Sequence, residues 1–292
     1  MADVWSEITA QISQVTGQSF QGKNISSVGG GCINQAYSLR DGQTTFFVKL
    51  NQASKLAMFE AEFAGLKEMF SSQTIRVPRP VCTGLSGANS YIVMEWLELG
   101  HRGNAWAAMG RDLAAMHRVS SDLGFGWHRT NTIGETNQPN EWQESWLAFW
   151  RDQRLGHQFR LAKRRGGSFP QYQTLLDVLP ELLSGHDPMP SLVHGDLWSG
   201  NAAITAAGQP VIFDPATYYG DREVDLAMTE LFGSFPRDFY EAYEAAYPLS
   251  DGYGTRKVLY NLYHIVNHFN LFGGGYAAQA NRMIQHLLAK IR

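Results

Sequence analysis

Two short strings of this chain place two aspartates and an asparagine at fixed distances from one another. In HGDLWSGN, at positions 194–201, Asn201 follows Asp196 by five residues. In VIFD, at positions 211–214, Asp214 follows Asn201 by thirteen residues and stands directly after an apolar run. A polar turn between strands also combines Asp with Asn, but it requires no second Asp at this distance. The pattern therefore favours a functional site built from these three side chains.

The same spacing occurs in the catalytic loop of protein kinases, H-R-D-x-x-x-x-N, which is followed by a second Asp on a nearby turn. Phosphoryl transfer from ATP needs a group that orients and deprotonates a hydroxyl, and oxygen ligands that hold Mg²⁺ against the phosphates. We therefore predict Asp196 as the catalytic base, and Asn201 and Asp214 as ligands of Mg²⁺. His194 is predicted to hydrogen-bond within its loop, because this chemistry requires no imidazole.

The composition is typical of a soluble enzyme. The chain has 292 residues, 44% of them hydrophobic, which is enough for one large core or two lobes. Its net charge of −3 and pI of about 6.3 give no reason to expect binding to nucleic acid or a membrane. The start of the chain lacks the pattern of a secretory signal, and no run approaches the roughly eighteen apolar residues of a membrane span. We expect a cytoplasmic protein, or one of an organelle stroma after processing.

The order of the predicted elements indicates an α+β chain with two lobes. Residues 4–15 have apolar residues at helical spacing, and β-like runs with one inserted helix follow up to residue 95. Helical patterns predominate afterwards, at about 104–118, 141–164, 171–184, 223–232, 236–246, 255–270 and 276–290. We therefore predict a nucleotide-covering lobe at 1–95 and a catalytic and acceptor-binding lobe at 96–292.

Three longer strings resemble the fructosamine-3-kinase (ketosamine-3-kinase) family. They are HGDLWSGN, FDPATYYGDREVDLAM at 213–228, and NHFNLFGG at 267–274. The HGDxxxxN part is common to small-molecule kinases, whereas Trp198 and the DPATYYGDRE continuation are far more specific. The resemblance runs from about Gly29 to near the C-terminus, so it covers most of the chain.

This resemblance implies the protein-kinase-like fold that the family shares with aminoglycoside and choline phosphotransferases. In that fold a small antiparallel sheet forms the N-lobe, and the larger C-lobe is mainly helical. The implied reaction transfers phosphate from ATP to the 3-hydroxyl of a ketosamine, and the product then breaks down and releases the free amine. The expected substrates are glycated lysines on proteins or small ketoamines, and the sequence does not choose among ribulosamine, erythrulosamine and fructosamine.

The predicted ATP-binding residues lie in the first lobe. The glycine-rich string at 29–34 could be an ordinary hairpin, but the resemblance makes Gly30, Gly31 and Cys32 part of a loop that covers the nucleotide. Lys49 follows an apolar strand, from which it can reach the α and β phosphates when a carboxylate holds it. Glu62 matches the family better than Glu60, which would project about 160° away on the same helix.

The predicted adenine-reading segment is the end of the last strand of the first lobe. In kinase-like folds the backbone of this segment reads the adenine edge, which here assigns Glu95, Trp96 and Leu97. The same residues also serve as an interlobe linker, and both interpretations hold together.

The predicted acceptor site rests on the resemblance. The family uses the tryptophan at position 198 for its sugar substrate, although a tryptophan commonly packs in a core. His268 and Asn267 belong to the C-terminal helix of the family, where they contact the sugar or only pack the helix. Asp221 and Glu223 line the acceptor site or form surface ion pairs, two alternatives that the sequence leaves open.

Two further predictions concern Asp225 and the cysteines. Asp225 is expected to cap a helix and support the catalytic loop rather than touch a ligand. The two cysteines are too few for a disulfide framework or a zinc site. Cys32 lies in the glycine loop, where backbone N–H groups and Lys49 favour a thiolate, and the family links a cysteine here to redox control. We expect a monomer that oxidation converts into a Cys32-linked dimer, unless Cys32 is only a small loop residue. Cys82, in an apolar strand, is expected to be buried and inert.

Two other functions are compatible with part of this pattern. An aminoglycoside or amino-alcohol kinase would use the same Asp196, Asn201 and Asp214, but its cationic acceptor would need an acidic cleft. A pseudokinase would bind without turnover, which the joint presence of these residues and Lys49 argues against.

Overall fold

The computed structural model describes residues 4–29, 33–42, 44–100 and 105–291, and the chain forms two compact units. The first unit comprises Met1–Gly103 and Ala203–Phe213, and the second comprises Asn104–Ala202 and Asp214–Arg292. The predicted boundary at residue 95 divides the chain into a nucleotide-covering lobe and a catalytic lobe. It does not coincide with the bounds of the two compact units, and it stays a prediction. The predicted roles of Gly30, Gly31 and Cys32 fall outside the described residues.

The described strands are short except for the first five, which have five to nine residues each. They are β1 (Asn24–Val28), β2 (Gln35–Asp41), β3 (Thr44–Gln52), β4 (Pro80–Ser86), β5 (Asn89–Glu95), β6 (Leu99–Gly100), β7 (Asn131–Ile133), β8 (Thr136–Gln138), β9 (Ser191–Val193), β10 (Ala202–Thr205), β11 (Pro210–Ile212) and β12 (Tyr218–Gly220).

The described helices lie mainly in the second unit. They are α1 (Val4–Thr16), α2 (Leu56–Ser72), α3 (Trp106–Met116), α4 (Trp146–Phe149), α5 (Gly156–Arg164), α6 (Tyr172–Asp177), α7 (Leu179–Leu182), α8 (Glu223–Thr229), α9 (Arg237–Ala246), α10 (Tyr253–Phe272) and α11 (Tyr276–Ala289). Single 3₁₀ turns occur at Ala53–Lys55 and Ser199–Asn201, and a π-helical segment at Trp150–Leu155 joins α4 to α5.

The first unit is built on an antiparallel sheet with the strand order β1-β2-β3-β5-β4. Alternate residues of these strands face the core, where Leu39, Val48 and Val93 are fully buried. The helix α1 covers this face with Ile8 and Ile12, which are also fully buried. The predicted N-terminal helix and the predicted strands of this region therefore match observed elements.

The second unit is mainly helical, and α10 is its central helix. Most of α10 is buried, and it packs against α5, α8 and α11. With an antiparallel sheet in one unit and mainly helices in the other, the predicted α+β class is confirmed. None of the described helices combines the length and the apolar character that a membrane span needs.

The helical predictions differ from the structure in two details. The helix predicted at 141–164 starts at Trp146 and contains the π-helical segment, where one extra residue enters the turn. The helix predicted at 171–184 is divided into α6 and α7 at Val178. Pro180 lies in the first turn of α7, where a residue without an N–H group is tolerated, and it cannot continue α6.

Candidate active site

The two loops that carry the predicted catalytic residues are attached to one pair of strands in the second unit. β9 and β12 are antiparallel, with Val193 opposite Tyr218. The loop that follows β9 contains Asp196, and the loop that precedes β12 contains Asp214. Because antiparallel neighbours bring the end of one strand to the start of the other, both loops emerge on the same side. The backbone N–H of Ala216 also donates to the carbonyl oxygen of His194 at 2.9 Å, which joins the two loops directly.

Asp196 and Asn201 are hydrogen-bonded to each other across the catalytic loop. The Nδ2 of Asn201 donates to the backbone oxygen of Asp196 at 2.8 Å and to its Oδ2 at 3.2 Å. Burial raises the pKa of Asp196 well above its ordinary value, and the nearby carboxylate of Asp214 raises that pKa further. The hydrogen bond from Asn201 acts in the opposite direction. The carboxyl group is thus held in one orientation and has an increased proton affinity, as a base at a hydroxyl acceptor needs.

Asp214 has an unusual backbone conformation. Its φ of 60° lies in the left-handed region, which non-glycine residues rarely adopt, although Asp and Asn tolerate it better than most. The side chain is exposed, and Pro215 follows it, which further restricts the backbone. Such conformations persist where the surroundings over-determine them, and they concentrate at functional sites.

Oxygen atoms suited to a hard cation are present in this loop pair. The amide nitrogen of Asn201 is engaged by Asp196, so the carbonyl oxygen Oδ1 is the atom available to a metal. The exposed carboxylate of Asp214 supplies a second hard oxygen donor. This donor set fits Mg²⁺, which prefers oxygen ligands and retains waters and phosphate oxygens for its other positions.

Asp225, a fully buried residue of α8, supports the loop at 194–201 through hydrogen bonds to its backbone. Its Oδ2 accepts the N–H of His194 at 2.7 Å, and its Oδ1 accepts the N–H of Gly195 at 2.8 Å. The ring of His117 also donates to Oδ2 at 3.0 Å. Burial alone would raise the pKa of Asp225, but the hydrogen bond from His117 and the charges around it outweigh burial and lower it. Asp225 therefore supports the loop as expected, but from inside α8 rather than as its cap.

Gly195 and His194 have structural tasks in this loop. Gly195 has a φ of 80°, and a Cβ atom there would collide with the carbonyl group of Ala216. The N–H of Asp196 donates to Nδ1 of His194 at 3.2 Å, so Nδ1 carries no proton. His194 is fully buried, in keeping with a role inside the loop rather than at the reacting atoms.

An exposed aromatic surface adjoins the catalytic loop. The indole of Trp198 is 37% exposed and meets the ring of Phe232 edge-on, with 6.4 Å between centroids. Phe232 in turn lies 4.9 Å from the ring of His268, which is close to Phe272 and Tyr276. The indole of Trp198 therefore lies at the surface and not in a core. Phe232 was absent from the sequence predictions, because only its proximity to Trp198 in space marks it.

His268 is a neutral hydrogen-bonding group at this surface. Its Nδ1 donates to the carbonyl oxygen of His264 at 2.7 Å, which leaves Nε2 as an acceptor. Burial lowers the pKa of His268, and burial together with His268 lowers the pKa of His264 to about 3. Asn267, by contrast, is buried, donates to the backbone of Ile133 and accepts from Gln158. Asn267 thus packs the helix and does not face the aromatic surface.

Asp221 and Glu223 form a buried network rather than a lining of the acceptor site or surface ion pairs. The Oδ2 of Asp221 accepts from His186 at 2.6 Å and from the hydroxyl of Tyr260. Glu223 receives Arg256 through both oxygens, at 2.7 and 2.8 Å. Burial raises the pKa of Glu223. Although these side chains lie within 4.8 Å of His186, their oxygens are engaged by these donors, so we assign the cluster a structural role.

The first unit contains the predicted lysine–glutamate pair. The Nζ of Lys49, a residue only 7% exposed, lies 2.6 Å from Oε1 of Glu62. Glu60 is exposed on the same helix. This pair fixes the ammonium group on β3, the position from which a kinase lysine contacts phosphates.

The segment predicted to read adenine ends β5. The N–H of Glu95 donates to the carbonyl oxygen of Arg79 at 2.9 Å, and its carboxylate accepts from the Arg76 guanidinium at 2.7 Å. Trp96 and Leu97 are half-buried and follow the strand. The N–H of Glu95 is therefore used within the first unit, so a contact of Glu95 with adenine would involve its carbonyl oxygen.

The amino-acid sequence of this chain is similar to those of known proteins. The profile of a family described as fructosamine kinase matches residues 4–290. A probable ketoamine kinase of Synechocystis is 56% identical, with 97% of each chain covered. A chloroplastic protein-ribulosamine 3-kinase of Arabidopsis thaliana is 44% identical over 94% of this chain and 86% of its own.

Solved structures agree on the fold. The crystal structure of a candidate fructosamine-3-kinase from Haemophilus somnus superposes with a TM-score of 0.90 at 29% identity, covering 96% of each chain. An aminoglycoside phosphotransferase in complex with ADP and hygromycin B gives a TM-score of 0.64 at 14% identity, covering 97% of this chain and 98% of its own. The second likeness concerns the fold alone.

Proposed function

Because this chain belongs to the fructosamine kinase family, we propose that it is an ATP-dependent kinase of the 3-hydroxyl of ketosamines. The substrates are ribulosamine, erythrulosamine or fructosamine groups, on lysines of proteins or on small amines. The observation that carries the proposal is the catalytic loop, in which Asn201 orients Asp196 beside the carboxylate of Asp214. The relatives from Synechocystis and Arabidopsis, whose names specify ketoamine and ribulosamine kinases, support the substrate class.

Asp196 is the base in this reaction. As the acceptor oxygen forms its bond to the γ-phosphorus and the bond to the ADP oxygen breaks, the proton of the hydroxyl passes to the carboxylate of Asp196. The transition state of phosphoryl transfer is loose, so the proton leaves late and a carboxylate suffices. The raised proton affinity of Asp196 suits this role at neutral pH, provided the group is ionised when the acceptor binds.

Asn201 and Asp214 are the proposed ligands of Mg²⁺. Bound there, the ion neutralises charge on the phosphate oxygens. The chain contributes the amide oxygen of Asn201, oriented by Asp196, and the carboxylate of Asp214, held in its left-handed conformation.

The nucleotide is assigned to residues of the first unit. Lys49, held by Glu62, contacts the α and β phosphates, and the backbone of Glu95, Trp96 and Leu97 reads the adenine edge. Gly30, Gly31 and Cys32 are proposed to cover the phosphates. The neighbouring fold with ADP bound supports the use of ATP.

The acceptor is assigned to the aromatic surface at Trp198. The indole stacks on the sugar of the ketosamine, and the free Nε2 of His268 accepts a hydrogen bond from one of its donors. An aminoglycoside kinase would need carboxylates facing a cationic acceptor. Asp221 and Glu223, which follow Asp214 by seven and nine residues, are instead occupied by Tyr260, His186 and Arg256.

Redox control through Cys32 is also part of the proposal. Oxidation would join the Cys32 thiols of two monomers, each losing its hydrogen to the oxidant. Cys82 is unsuited to this, because burial raises its pKa to about 12 and keeps it a thiol. We expect diamide to give a reducible dimer with altered activity in the wild type and in Cys82→Ala, but not in Cys32→Ala. A Cys32→Ala protein that still dimerises and changes activity would exclude Cys32. Such control would suit a cytoplasmic enzyme, which is the location we propose.

The direct test is acceptor-dependent ATP consumption. Purified protein with Mg·ATP is given a ribulosyl-lysine peptide, an aminoglycoside, or no acceptor. We expect consumption to rise well above background only with the peptide, and Asp196→Asn to remove that rise. Consumption of ATP stimulated only by the aminoglycoside would favour an aminoglycoside kinase. No stimulation by either acceptor would favour a binding protein without turnover.

A further inference from the structure

A small hairpin of the second unit contacts the backbone behind Asp214, although it carries none of the predicted site residues. β7 and β8 pair with Asn131 opposite Gln138, and both side chains are buried. The Nδ2 of Asn131 donates to the carbonyl oxygen of Thr217 at 2.7 Å. The Nε2 of Gln138 donates to the carbonyl oxygen of Ala216 at 3.1 Å and to Oδ1 of Asn131 at 2.8 Å. We call this pair of side chains the amide clamp.

The clamp holds the backbone segment that follows Asp214. Asp214 has a φ of 60° and precedes Pro215, so its backbone would relax if the following residues were free. Ala216 is bonded on both sides, because its N–H donates to His194 at 2.9 Å and its carbonyl oxygen accepts from Gln138. The clamp thus fixes the backbone just after Asp214, at the point where it is hydrogen-bonded to the loop that carries Asp196.

The clamp is itself held by buried partners from other elements. The hydroxyl of Tyr263, on α10, donates to Oε1 of Gln138 at 2.6 Å. Asn140 donates to Oδ1 of Asn131 at 2.8 Å and accepts from Arg154 at 2.6 Å. The amide groups of Asn131 and Gln138, paired in this way, specify a single arrangement, because an unpaired buried amide is costly.

Arg154 adds to the rigidity from the π-helical segment. It is fully buried, and its guanidinium stacks over the ring of Tyr218 at 4.0 Å from the centroid. Its hydrogen-bond partners among the described residues are carbonyl and amide oxygens rather than carboxylates. The π-helical turn therefore directs a cation into the network that surrounds the segment after Asp214.

We propose that the amide clamp, Asn131 and Gln138, is a positioning device that sets the orientation of Asp214 for the metal ion. It acts through the backbone of residues 216 and 217 and contacts neither metal nor substrate. The inference rests on the proposed function only in taking Asp214 as a metal ligand. Loosening the clamp should weaken metal binding and leave the KM of the acceptor unchanged, since the described contacts of Trp198 and His268 are with residues outside the clamp, among them Phe232 and His264.

The test measures equilibrium binding of Mn²⁺ by electron paramagnetic resonance in the presence of AMP-PNP. Gln138→Met preserves the length of the side chain and removes its donor. We expect its Kd for Mn²⁺ to rise about ten-fold, as removal of groups that orient metal ligands commonly does. Tyr263→Phe removes one hydroxyl that holds Gln138 and should raise the Kd in the same direction but less, and it serves if Gln138→Met fails to fold.

The matched control is Gln158→Met. Gln158 is an equally buried glutamine whose amide bonds Asn267, Asn270 and the hydroxyl of Tyr263, but not the backbone after Asp214. Its substitution should lower the melting temperature comparably and leave the Kd for Mn²⁺ within about two-fold of wild type. An equal rise of the Kd in Gln138→Met and Gln158→Met would overturn the clamp, because general loosening would then explain it.

Asp214→Asn separates a failure of the clamp from a failure of the proposed function. If Asp214→Asn binds Mn²⁺ as tightly as wild type, Asp214 is not a ligand and both assignments fail together. If Asp214→Asn weakens binding while Gln138→Met and Tyr263→Phe do not, the metal site stands and the clamp is rejected.

Discussion

The carboxylate of Asp225 accepts the backbone N–H of Gly195 at 2.8 Å, in the loop that carries Asp196, the proposed base. Its other oxygen accepts the N–H of His194. A loop with a glycine in the left-handed region would otherwise have several conformations. A fully buried carboxylate that accepts two consecutive N–H groups fixes one of them, and the position of Asp196 follows from that choice.

Asp225→Asn tests this support through pH. Because the pKa of Asp225 is lowered in the folded protein, its contribution to stability is present above the unfolded pKa of about 3.9. That contribution is lost as the pH falls through the lower folded pKa. The wild type should therefore exceed Asp225→Asn by about 2 kcal/mol in free energy of unfolding at pH 6–7, and this difference should shrink below pH 4. Urea unfolding across this range measures it, and a difference that is constant with pH would contradict the role of the charge.

Asp214→Asn and Asp214→Ala separate charge from backbone strain. Asn tolerates the left-handed conformation, whereas Ala is disfavoured there by roughly 1 kcal/mol or more. Both substitutions should raise the Mg²⁺ concentration for half-maximal activity by about ten-fold or more, since the carboxylate is lost. Only Asp214→Ala should also lower the melting temperature. Asn201→Ala should raise the Mg²⁺ requirement less, because an amide contributes only a dipole. Unchanged metal dependence in all three variants would place the ligands elsewhere.

Trp198→Ala tests the acceptor platform. The indole is 37% exposed, so its removal should change the melting temperature little. The KM of the ketoamine should rise by a factor that corresponds to about 1–3 kcal/mol, while background ATP hydrolysis stays nearly the same. Trp198→Phe, with a smaller ring, should lie between. A large fall in melting temperature with an unaltered KM would instead show that Trp198 packs the protein.

The sequence suggests a chemistry for this site but not the residues that support it. Asp196, Asn201 and Asp214 can be proposed from the sequence because phosphoryl transfer demands fixed residue types at fixed spacing. The pairing of Lys49 with Glu62 rather than Glu60 followed from the angle between side chains on a helix. Phe232, Asn131 and Gln138 carry no such pattern, because each reaches its partner across a long sequence separation. The roles of Asp221 and Glu223 depended on Arg256 and Tyr260, which only the fold brings near.

Asp196→Asn should lose activity and gain stability. The pKa of Asp196 is raised in the folded protein, so its ionisation opposes folding, and this cost appears as pH rises through the folded pKa. Without metal and nucleotide at pH 7.5, Asp196→Asn should therefore melt at a higher temperature than wild type. The gain should disappear near pH 4, where the carboxyl is protonated in both the folded and the unfolded protein. Turnover should fall about 10²–10⁴-fold, with ATP affinity changed only a few-fold. A less stable Asp196→Asn at pH 7.5 would contradict the account of its environment.

The most direct measurement of the central claim is the position of the transferred phosphate. A ribulosyl-lysine peptide labelled with ¹³C at the third sugar carbon is incubated with Mg·ATP and followed by ¹³C and ³¹P NMR. We expect a new phosphate ester coupled to the labelled carbon, followed by loss of this signal as the free lysine is released. Neither change should occur with Asp196→Asn. A phosphate ester on another carbon, or an equal signal with Asp196→Asn, would contradict the proposed function.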